Sequence, residues 1–195
     1  MQIWLGNGKT IGKLHFDQFE NLLSQVTGAK EFIIYPPHEN ENLYEGHLAE
    51  AQLSFDLETL EFSRDNLLES TSMVMSPVDI VRPDYGRYPR FARTKPLSCT
   101  VTAGDAIYLP SFWWHEVRSK PDADQRNIAV NYWFKPVLDK EFPCRECRVH
   151  PSPAYYDLLM RVHGRAAPPP LSSTPLPPKD TSPVHSKAKE SQLVF

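Results

Sequence analysis

Three side chains that are far apart in the chain have the types and spacing that a metal-dependent oxidation needs. His15 and Asp17 stand two positions apart, and His115 follows a pair of tryptophans much later in the sequence. On a β-strand, side chains two positions apart point to the same face. Two imidazoles and one carboxylate on one side of a metal form the facial triad of non-haem Fe(II) oxygenases, which leaves coordination positions open for O2 and a co-substrate. We therefore expect these three residues to be metal ligands of a redox enzyme.

The His-x-Asp pair is weak evidence by itself. The chain has seven histidines, so the odds of a chance match are roughly one in three. Lys30 adds a second feature, because it stands just before the apolar run 32–35, where a buried ammonium group is costly without an anionic partner. A dicarboxylate co-substrate would supply that partner, although the spacing alone favours a solvated lysine after the turn at Gly28.

Composition limits the class of protein. At 195 residues and a formal net charge of −3, the chain is long enough for one domain with a real core, and its charge does not indicate a general nucleic-acid or membrane-surface binder. Three cysteines are an odd and sparse set, which favours a reducing compartment. No signal peptide or membrane-spanning run is visible. We expect an intracellular protein, cytoplasmic, nuclear or both, without a membrane partner.

Short apolar runs separated by turn signals predict an all-β sandwich or barrel. The predicted strands cover residues 3–5, 14–18, 22–26, 32–35, 99–102, 106–109, 114–119 and 128–134. The segment from Ala49 to Thr94 mixes acidic and apolar residues with a turn-rich run, and we interpret it as a long insert with short helices packed partly on the barrel. His38 and His47 fall in a polar loop and are expected to be solvated.

The C-terminal part changes in character twice. Apolar residues at helical spacing, from Tyr155 to Val162, predict a short helix over 153–163. From about residue 166 the chain is rich in Pro and Ser and is expected to be disordered, because it cannot bury enough apolar surface to offset its ordering entropy.

Cys144, Cys147 and His150 are spaced like part of a zinc site. A structural Zn²⁺ normally needs four ligands, and the fourth would have to come from elsewhere, for example from His163. The spacing favours a reduced cysteine pair without metal, with zinc binding as the alternative.

A series of short motifs in the chain occurs in the same order in a known protein family. They are WLG at 4–6, LHFD at 14–17, ENLL at 20–23, GAK at 28–30, PP at 36–37, YPRF at 88–91, GDAIYLP at 104–110, WWH at 113–115 and VNYW at 130–133. In this order and spacing the chain resembles the JmjC-domain hydroxylases. The resemblance is to the cupin-like branch that includes the asparaginyl hydroxylase acting on hypoxia-inducible factor and a small JmjC lysyl hydroxylase.

The resemblance implies a double-stranded β-helix, the jelly-roll or cupin fold, with the metal at one mouth. His15, Asp17 and His115 match the iron ligands of the family. The cofactors implied are Fe(II), with 2-oxoglutarate and O2 as co-substrates and ascorbate as a reductant.

Other positions match the co-substrate pocket of the family. Lys30 matches the basic residue that pairs with the distal carboxylate of 2-oxoglutarate. Asn21 and Asn131 match polar residues that line the pocket, and Trp4 matches a position in its wall.

Two departures from the family pattern bear on activity. Relatives usually carry Thr or Ser three residues before the first histidine ligand, where this chain has Gly12 and lacks a hydrogen bond worth about 1–2 kcal/mol to a charged group. Thr10 lies close enough in sequence to substitute. Relatives also carry a long N-terminal portion, so we expect part of the domain to be missing from residues 1–137, which precede a helical segment at 138–165 and a tail at 166–195.

The leading hypothesis is a 2-oxoglutarate-dependent dioxygenase that hydroxylates a protein side chain. RNA base hydroxylation and histone demethylation are alternatives of the same chemical class. A catalytically weak or inactive module that acts by binding is the alternative from a different class, and a cupin with another metal-dependent activity, such as an isomerase, is less favoured because of Lys30 and Asn131. The C-terminal helix would be a contact in a homodimer.

Overall fold

The computed structural model describes residues 1–141 and 147–164 of the chain. The strands are β1 (Gln2–Gly6), β2 (Ile11–His15), β3 (Glu20–Thr27), β4 (Ala29–Tyr35), β5 (Gly46–Phe55), β6 (Phe62–Met75), β7 (Leu97–Thr102), β8 (Ala106–Leu109), β9 (Trp114–Lys120), β10 (Asn127–Phe134), β11 (Leu138–Asp139) and β12 (His150–Pro151). Single 3₁₀ turns occur at Pro37–Glu39 and Pro89–Arg93, and the helix α1 covers Pro153–His163.

Two antiparallel sheets face each other and form the double-stranded β-helix that the sequence predicts. One sheet has the strand order β1-β10-β3-β8, and the other has the order β5-β6-β2-β9-β4-β7. Apolar side chains from both sheets meet between them in one buried cluster: Leu23, Phe32, Val101, Leu109 and Ala129. The mainly β, cupin-like fold is confirmed.

A second core covers the opposite face of the larger sheet. It contains Leu14 and Trp114, which are the chain neighbours of His15 and His115. Because side chains alternate along a strand, burying these neighbours on one face directs the two histidines to the other. The second core thus packs against the side of these strands that faces away from the two histidines, which fixes the orientation of the histidines.

The prediction of short helices between Ala49 and Thr94 is wrong. Strands β5 and β6 form a long antiparallel hairpin that extends the larger sheet, and β6 pairs with β2 at Met75 opposite His15. Cross-strand packing holds its end, where the rings of Phe55 and Phe62 lie 4.8 Å apart. The helical structure of this segment is confined to the 3₁₀ turn at Pro89–Arg93.

The turn of this hairpin is stabilised by hydrogen bonds between a side chain and its neighbouring backbone. The Asp56 carboxylate accepts hydrogen bonds from the backbone N–H groups of Glu58, at 2.7 Å, and Thr59, at 3.1 Å. Leu60 follows in the left-handed region, with φ of 58°. A side chain that bonds its own backbone in this way stabilises a turn in competition with a helix.

The C-terminal helix has the predicted bounds. Ser152 caps its first turn by accepting a hydrogen bond from the Tyr155 N–H at 3.2 Å, and Gly164 ends it in the left-handed region with φ of 59°. In the described part of the chain, no helix has the length and apolar character to cross a bilayer. Cys147 is disulfide-bonded, so the expectation of a reduced cysteine pair is wrong, and a disulfide sulfur does not supply the thiolate that a zinc site needs. Cys144 and the tail lie outside the described residues, so the disorder hypothesis stays a prediction.

Candidate metal centre and co-substrate cavity

The three predicted ligands come together at one point of the fold. His15 ends β2 and pairs directly with His115 near the start of β9, and their ring centroids are 4.4 Å apart. Asp17 Oδ2 lies 3.9 Å from His15 Nε2 and 3.5 Å from His115 Nε2. One candidate ligand atom from each residue lies within 4.8 Å of the others, which is close enough for a single metal ion to bridge them.

The strand predicted over 14–18 lies three residues earlier than expected, at Ile11–His15. Strand β2 ends at His15, so Asp17 lies beyond the sheet and the alternation of side chains along a strand does not place it. Instead, the backbone carbonyl of Asp17 accepts a hydrogen bond from Phe112 N–H at 2.8 Å. The loop before β9 therefore holds the carboxylate in place.

Backbone contacts fix the histidine tautomers. His15 Nδ1 lies 2.6 Å from the carbonyl oxygen of Lys13, and His115 Nδ1 lies 2.9 Å from that of Trp113. A carbonyl oxygen only accepts, so each Nδ1 carries the proton and each Nε2 presents a lone pair. Both Nε2 atoms face Asp17, which is the arrangement that metal-binding histidines adopt when a second group orients the ring.

The local electrostatics favour a metal over protons. Burial lowers the pKa of His15 below 6.5, and the neighbouring His115 lowers it further. Burial by itself raises the pKa of Asp17, but the hydrogen bond and charge that His115 supplies when it is protonated, together with the charge of protonated His15, bring it below 3.8. Metal ligands must be deprotonated, and these shifts leave a neutral imidazole and an ionised carboxylate at neutral pH.

All the predicted co-substrate residues line one cavity of about 630 Å³ that also contains the triad. The smaller sheet contributes Trp4, Asn21 and Asn131 to its wall, and the larger sheet contributes Lys30. Thr10 and Gly12 line it too. The structure thus gathers the site that sequence motifs indicate into one space between the two sheets.

Lys30 is a buried cation in this cavity. It is 8% exposed, and burial lowers the pKa of its ammonium group. Its Nζ donates to Ser119 Oγ at 2.9 Å, and no carboxylate within the described ranges forms an ion pair with it. An anionic ligand in the cavity would compensate the desolvation of this charge.

Ser119 is a pocket residue that sequence reasoning missed. Its Oγ accepts hydrogen bonds from Lys30 and also from Thr10 Oγ1, at 3.1 Å. Strand β9 alternates, so that His115, Val117 and Ser119 all line the cavity. That period of two, counted from the histidine, is the signal that would have identified it.

The two asparagines carry unsatisfied polar atoms. Asn21 and Asn131 are each 3% exposed, and among the described residues neither Oδ1 has a hydrogen-bond partner. An unpaired buried polar group costs about 1–3 kcal/mol. Each Oδ1 needs a donor such as water, whereas the Nδ2 group of each asparagine can donate to an anionic ligand beside Lys30.

Two further sequence expectations have different outcomes. His38 is exposed, as expected. The expectation that His47 is solvated is wrong, because His47 lies in β5 and its Nε2 is 2.8 Å from Glu45 Oε1. The error follows from the missed hairpin. His47 was expected in an exposed loop, but it lies in a strand whose pairing with β6 partly buries it.

Comparison with known proteins places the sequence in a family. Residues 1–140 match a family model described as a cupin-like domain. The chain is 32% identical over 143 residues to the human bifunctional peptidase and (3S)-lysyl hydroxylase JMJD7, an alignment that covers 73% of this chain and 43% of that protein.

Two other relatives carry demethylase names. The lysine-specific demethylase JMJ32 of Arabidopsis thaliana is 32% identical over 149 residues, covering 73% of this chain and 43% of the relative. Lysine-specific demethylase 8 of Xenopus tropicalis is 29% identical over 131 residues, covering 67% and 24% respectively. The chain spans less than half the length of each of these three relatives.

Proposed function

The chain belongs to the cupin-like JmjC domain family, and on that premise we propose that it is an Fe(II)- and 2-oxoglutarate-dependent dioxygenase acting on a protein side chain. The observation that carries the proposal is the convergence of His15, Asp17 and His115 in the same cavity as the buried Lys30, which forms no ion pair with any described residue. A metal triad beside such a cation is the arrangement that a metal and a dicarboxylate would share.

Each residue has a definite part in this proposal. His15, Asp17 and His115 would hold Fe(II) through two imidazole nitrogens and one carboxylate oxygen, a ligand set that leaves room for co-substrate and O2. Bound iron supplies the oxidation chemistry, in which O2 and 2-oxoglutarate are converted to succinate and CO2 while one oxygen enters the substrate. Lys30 binds the distal carboxylate by a charge-assisted hydrogen bond, with Ser119 holding its ammonium group in place.

The size of the cavity supports a second occupant. Its volume of about 630 Å³ lies within the range of roughly 300–1,000 Å³ typical of small-molecule sites, and a five-carbon dicarboxylate fills only part of it. The remaining space can admit an amino-acid side chain. The names of the relatives, a lysyl hydroxylase and lysine-specific demethylases, support lysine as the first residue type to test.

Demethylation is the second candidate, and the demethylase names of two relatives favour it. The two reactions share their first step, the hydroxylation of a C–H bond. When that carbon is a methyl group on nitrogen, the product collapses with release of formaldehyde. Mass spectrometry separates the two outcomes, since a hydroxylated peptide gains one oxygen whereas a demethylated peptide loses a methyl group.

Conversion of 2-oxoglutarate to succinate without a protein substrate tests the proposal first. We expect purified protein with Fe(II) and ascorbate to form succinate slowly, and Asp17→Ala to form none while keeping its circular dichroism spectrum. Lysine-containing and methyl-lysine-containing peptides should then raise the rate. A folded wild-type protein that forms no more succinate than Asp17→Ala would favour the non-catalytic binding module instead.

A further inference from the structure

A buried ion pair lies on the face of the larger sheet that is opposite to the cavity. The Lys140 ammonium group forms a salt bridge with the Glu45 carboxylate, and these side chains are only 2% and 1% exposed. Glu45 immediately precedes β5, and Lys140 immediately follows β11. The pair thus joins the start of the hairpin to the segment that follows the barrel.

Lys140 contacts Phe16, the chain neighbour of His15 and Asp17, and Asn40 links Glu45 to Trp114, the chain neighbour of His115. Lys140 Nζ lies 5.5 Å from the centre of the Phe16 ring, and Phe16 stands between His15 and Asp17. On the other side, Asn40 donates to the Glu45 carboxylate and accepts a hydrogen bond from Trp114 Nε1 at 3.1 Å.

The two aromatic rings meet between these contacts. Phe16 and Trp114 pack edge to face, with centroids 4.9 Å apart, and Trp114 directly precedes His115. Their positions set the direction in which the adjoining His15, Asp17 and His115 side chains leave the backbone. A shift of either ring would therefore be transmitted to the triad through one peptide unit.

Stability alone does not account for an ion pair at this place. Removing two charges from water is costly, and replacing a buried pair by apolar residues of similar size is often neutral or stabilising. This ion pair does fix the orientation of the side chains around it. The Glu45 carboxylate also accepts a hydrogen bond from Asn40 and contacts His47 Nε2 at 2.8 Å. Such a network specifies one packing of Phe16 and Trp114 where apolar groups would allow several.

We propose that Glu45 and Lys140 are positioning residues for the metal centre, acting through Phe16 and Trp114. The inference rests on the proposed function, because it takes the triad to be the metal site. It makes the segment after the barrel a part of the metal centre, although none of the described residues of that segment lines the cavity.

Paired substitutions separate positioning from folding. Lys140→Met alone strands a buried carboxylate, and we expect a large fall in melting temperature. The double variant Glu45→Gln with Lys140→Met removes both charges but keeps a carbonyl for the Asn40 hydrogen bond. Its melting temperature should stay within about 5 °C of the wild type. The control is Glu31→Gln with Lys120→Met, which removes an exposed pair on the same sheet.

Cobalt(II) alone is the probe, because its visible absorption reports ligand geometry without turnover. We expect the double variant to bind Co(II) about tenfold more weakly than the wild type, as changes to groups that orient metal ligands typically do, and its absorption bands to shift. The control variant should keep both the affinity and the bands of the wild type.

The outcomes distinguish the inference from the proposal on which it rests. A folded double variant with wild-type Co(II) affinity and spectrum would overturn the positioning role and leave the metal centre intact. Loss of affinity that only follows a loss of folded structure would overturn it as well, in favour of a structural role. A folded wild-type protein without any cobalt bands would overturn the metal centre and the inference together.

Discussion

The backbone N–H of Phe112 donates to the carbonyl oxygen of Asp17 at 2.8 Å, and Phe112 does so from the left-handed region, with φ of 62°. For a residue with a Cβ this conformation costs about 1–2 kcal/mol. The Phe112 ring is 3% exposed and lies 5.6 Å from that of Phe16. Core packing thus holds a strained backbone that connects the loop before β9 to a metal-ligand candidate.

Because of this strain, we expect the glycine variant at position 112 to be more stable than the alanine variant, the reverse of the usual order. Phe112→Ala and Phe112→Gly both lose the buried ring, at a cost of about 3–5 kcal/mol. Glycine adopts the positive φ without strain, so we expect Phe112→Gly to be the more stable of the two by about 1 kcal/mol. Urea denaturation measures the difference.

Phe32 provides the matched control, because it is fully buried in the regular strand β4. There the glycine variant should be less stable than the alanine variant, since glycine loses more backbone entropy on folding. If alanine were the better residue at both positions, Phe112 would carry no strain that matters for stability.

Lys30 gives the co-substrate site a defined pH dependence. Burial lowers its pKa below the ordinary value of 10.5, and the ammonium group binds a carboxylate only while it is protonated. As pH rises through that lowered pKa the charge is lost, so 2-oxoglutarate affinity should fall at a pH below 10.5. Lys30→Arg should remove this alkaline decline, because a guanidinium stays charged.

A second substitution of Lys30 tests whether this residue affects co-substrate binding without affecting metal binding. We expect Lys30→Met to weaken 2-oxoglutarate binding by about 2 kcal/mol or more, the scale of a hydrogen bond to a charged group, and to leave Fe(II) affinity nearly unchanged. Isothermal titration of each ligand under anaerobic conditions measures both. An equal loss of both affinities would assign Lys30 a structural role.

Gly12 is a position at which a substitution is expected to increase the affinity for 2-oxoglutarate. Beyond its two chain neighbours, the nearest atom to a Cβ at this position would be the carbonyl oxygen of Val117, at 3.8 Å. There is thus room for the Cβ of Gly12→Thr, and we expect its hydroxyl to supply the donor that the family resemblance implies at this position. We expect 2-oxoglutarate affinity to rise by about 1 kcal/mol relative to Gly12→Ala, which adds bulk without a donor. Equal affinities in the two variants would show that Thr10 or another group already fills this role.

Local sequence patterns were sufficient to predict the elements whose ends are determined by neighbouring residues. The strand β8 and the helix α1 have their predicted bounds, because Gly104-Asp105 and Ser152 mark their starts and Pro110 and Gly164 their ends. The hairpin was missed because a short mixture of acidic and apolar residues is compatible with either a helix or a strand.

Long-range contacts explain the remaining failures. The alternation along a strand led to Asp17, yet Asp17 lies outside β2 and is held by Phe112, a residue that no local pattern connects to it. The Glu45–Lys140 pair joins residues 95 positions apart, so only the assembled fold reveals it. The motif resemblance identified the ligand candidates, but not the contacts that orient them.

The most direct test of the metal centre is an anaerobic titration of the purified protein with Fe(II) and then 2-oxoglutarate, followed by the metal-to-ligand charge-transfer absorbance. We expect a band that grows with 2-oxoglutarate in the wild type and is absent from His15→Ala, with the same circular dichroism spectrum for both proteins. A folded wild-type protein that gives no band, or a His15→Ala variant that gives the wild-type band, would contradict the assignment of His15, Asp17 and His115 as the iron site.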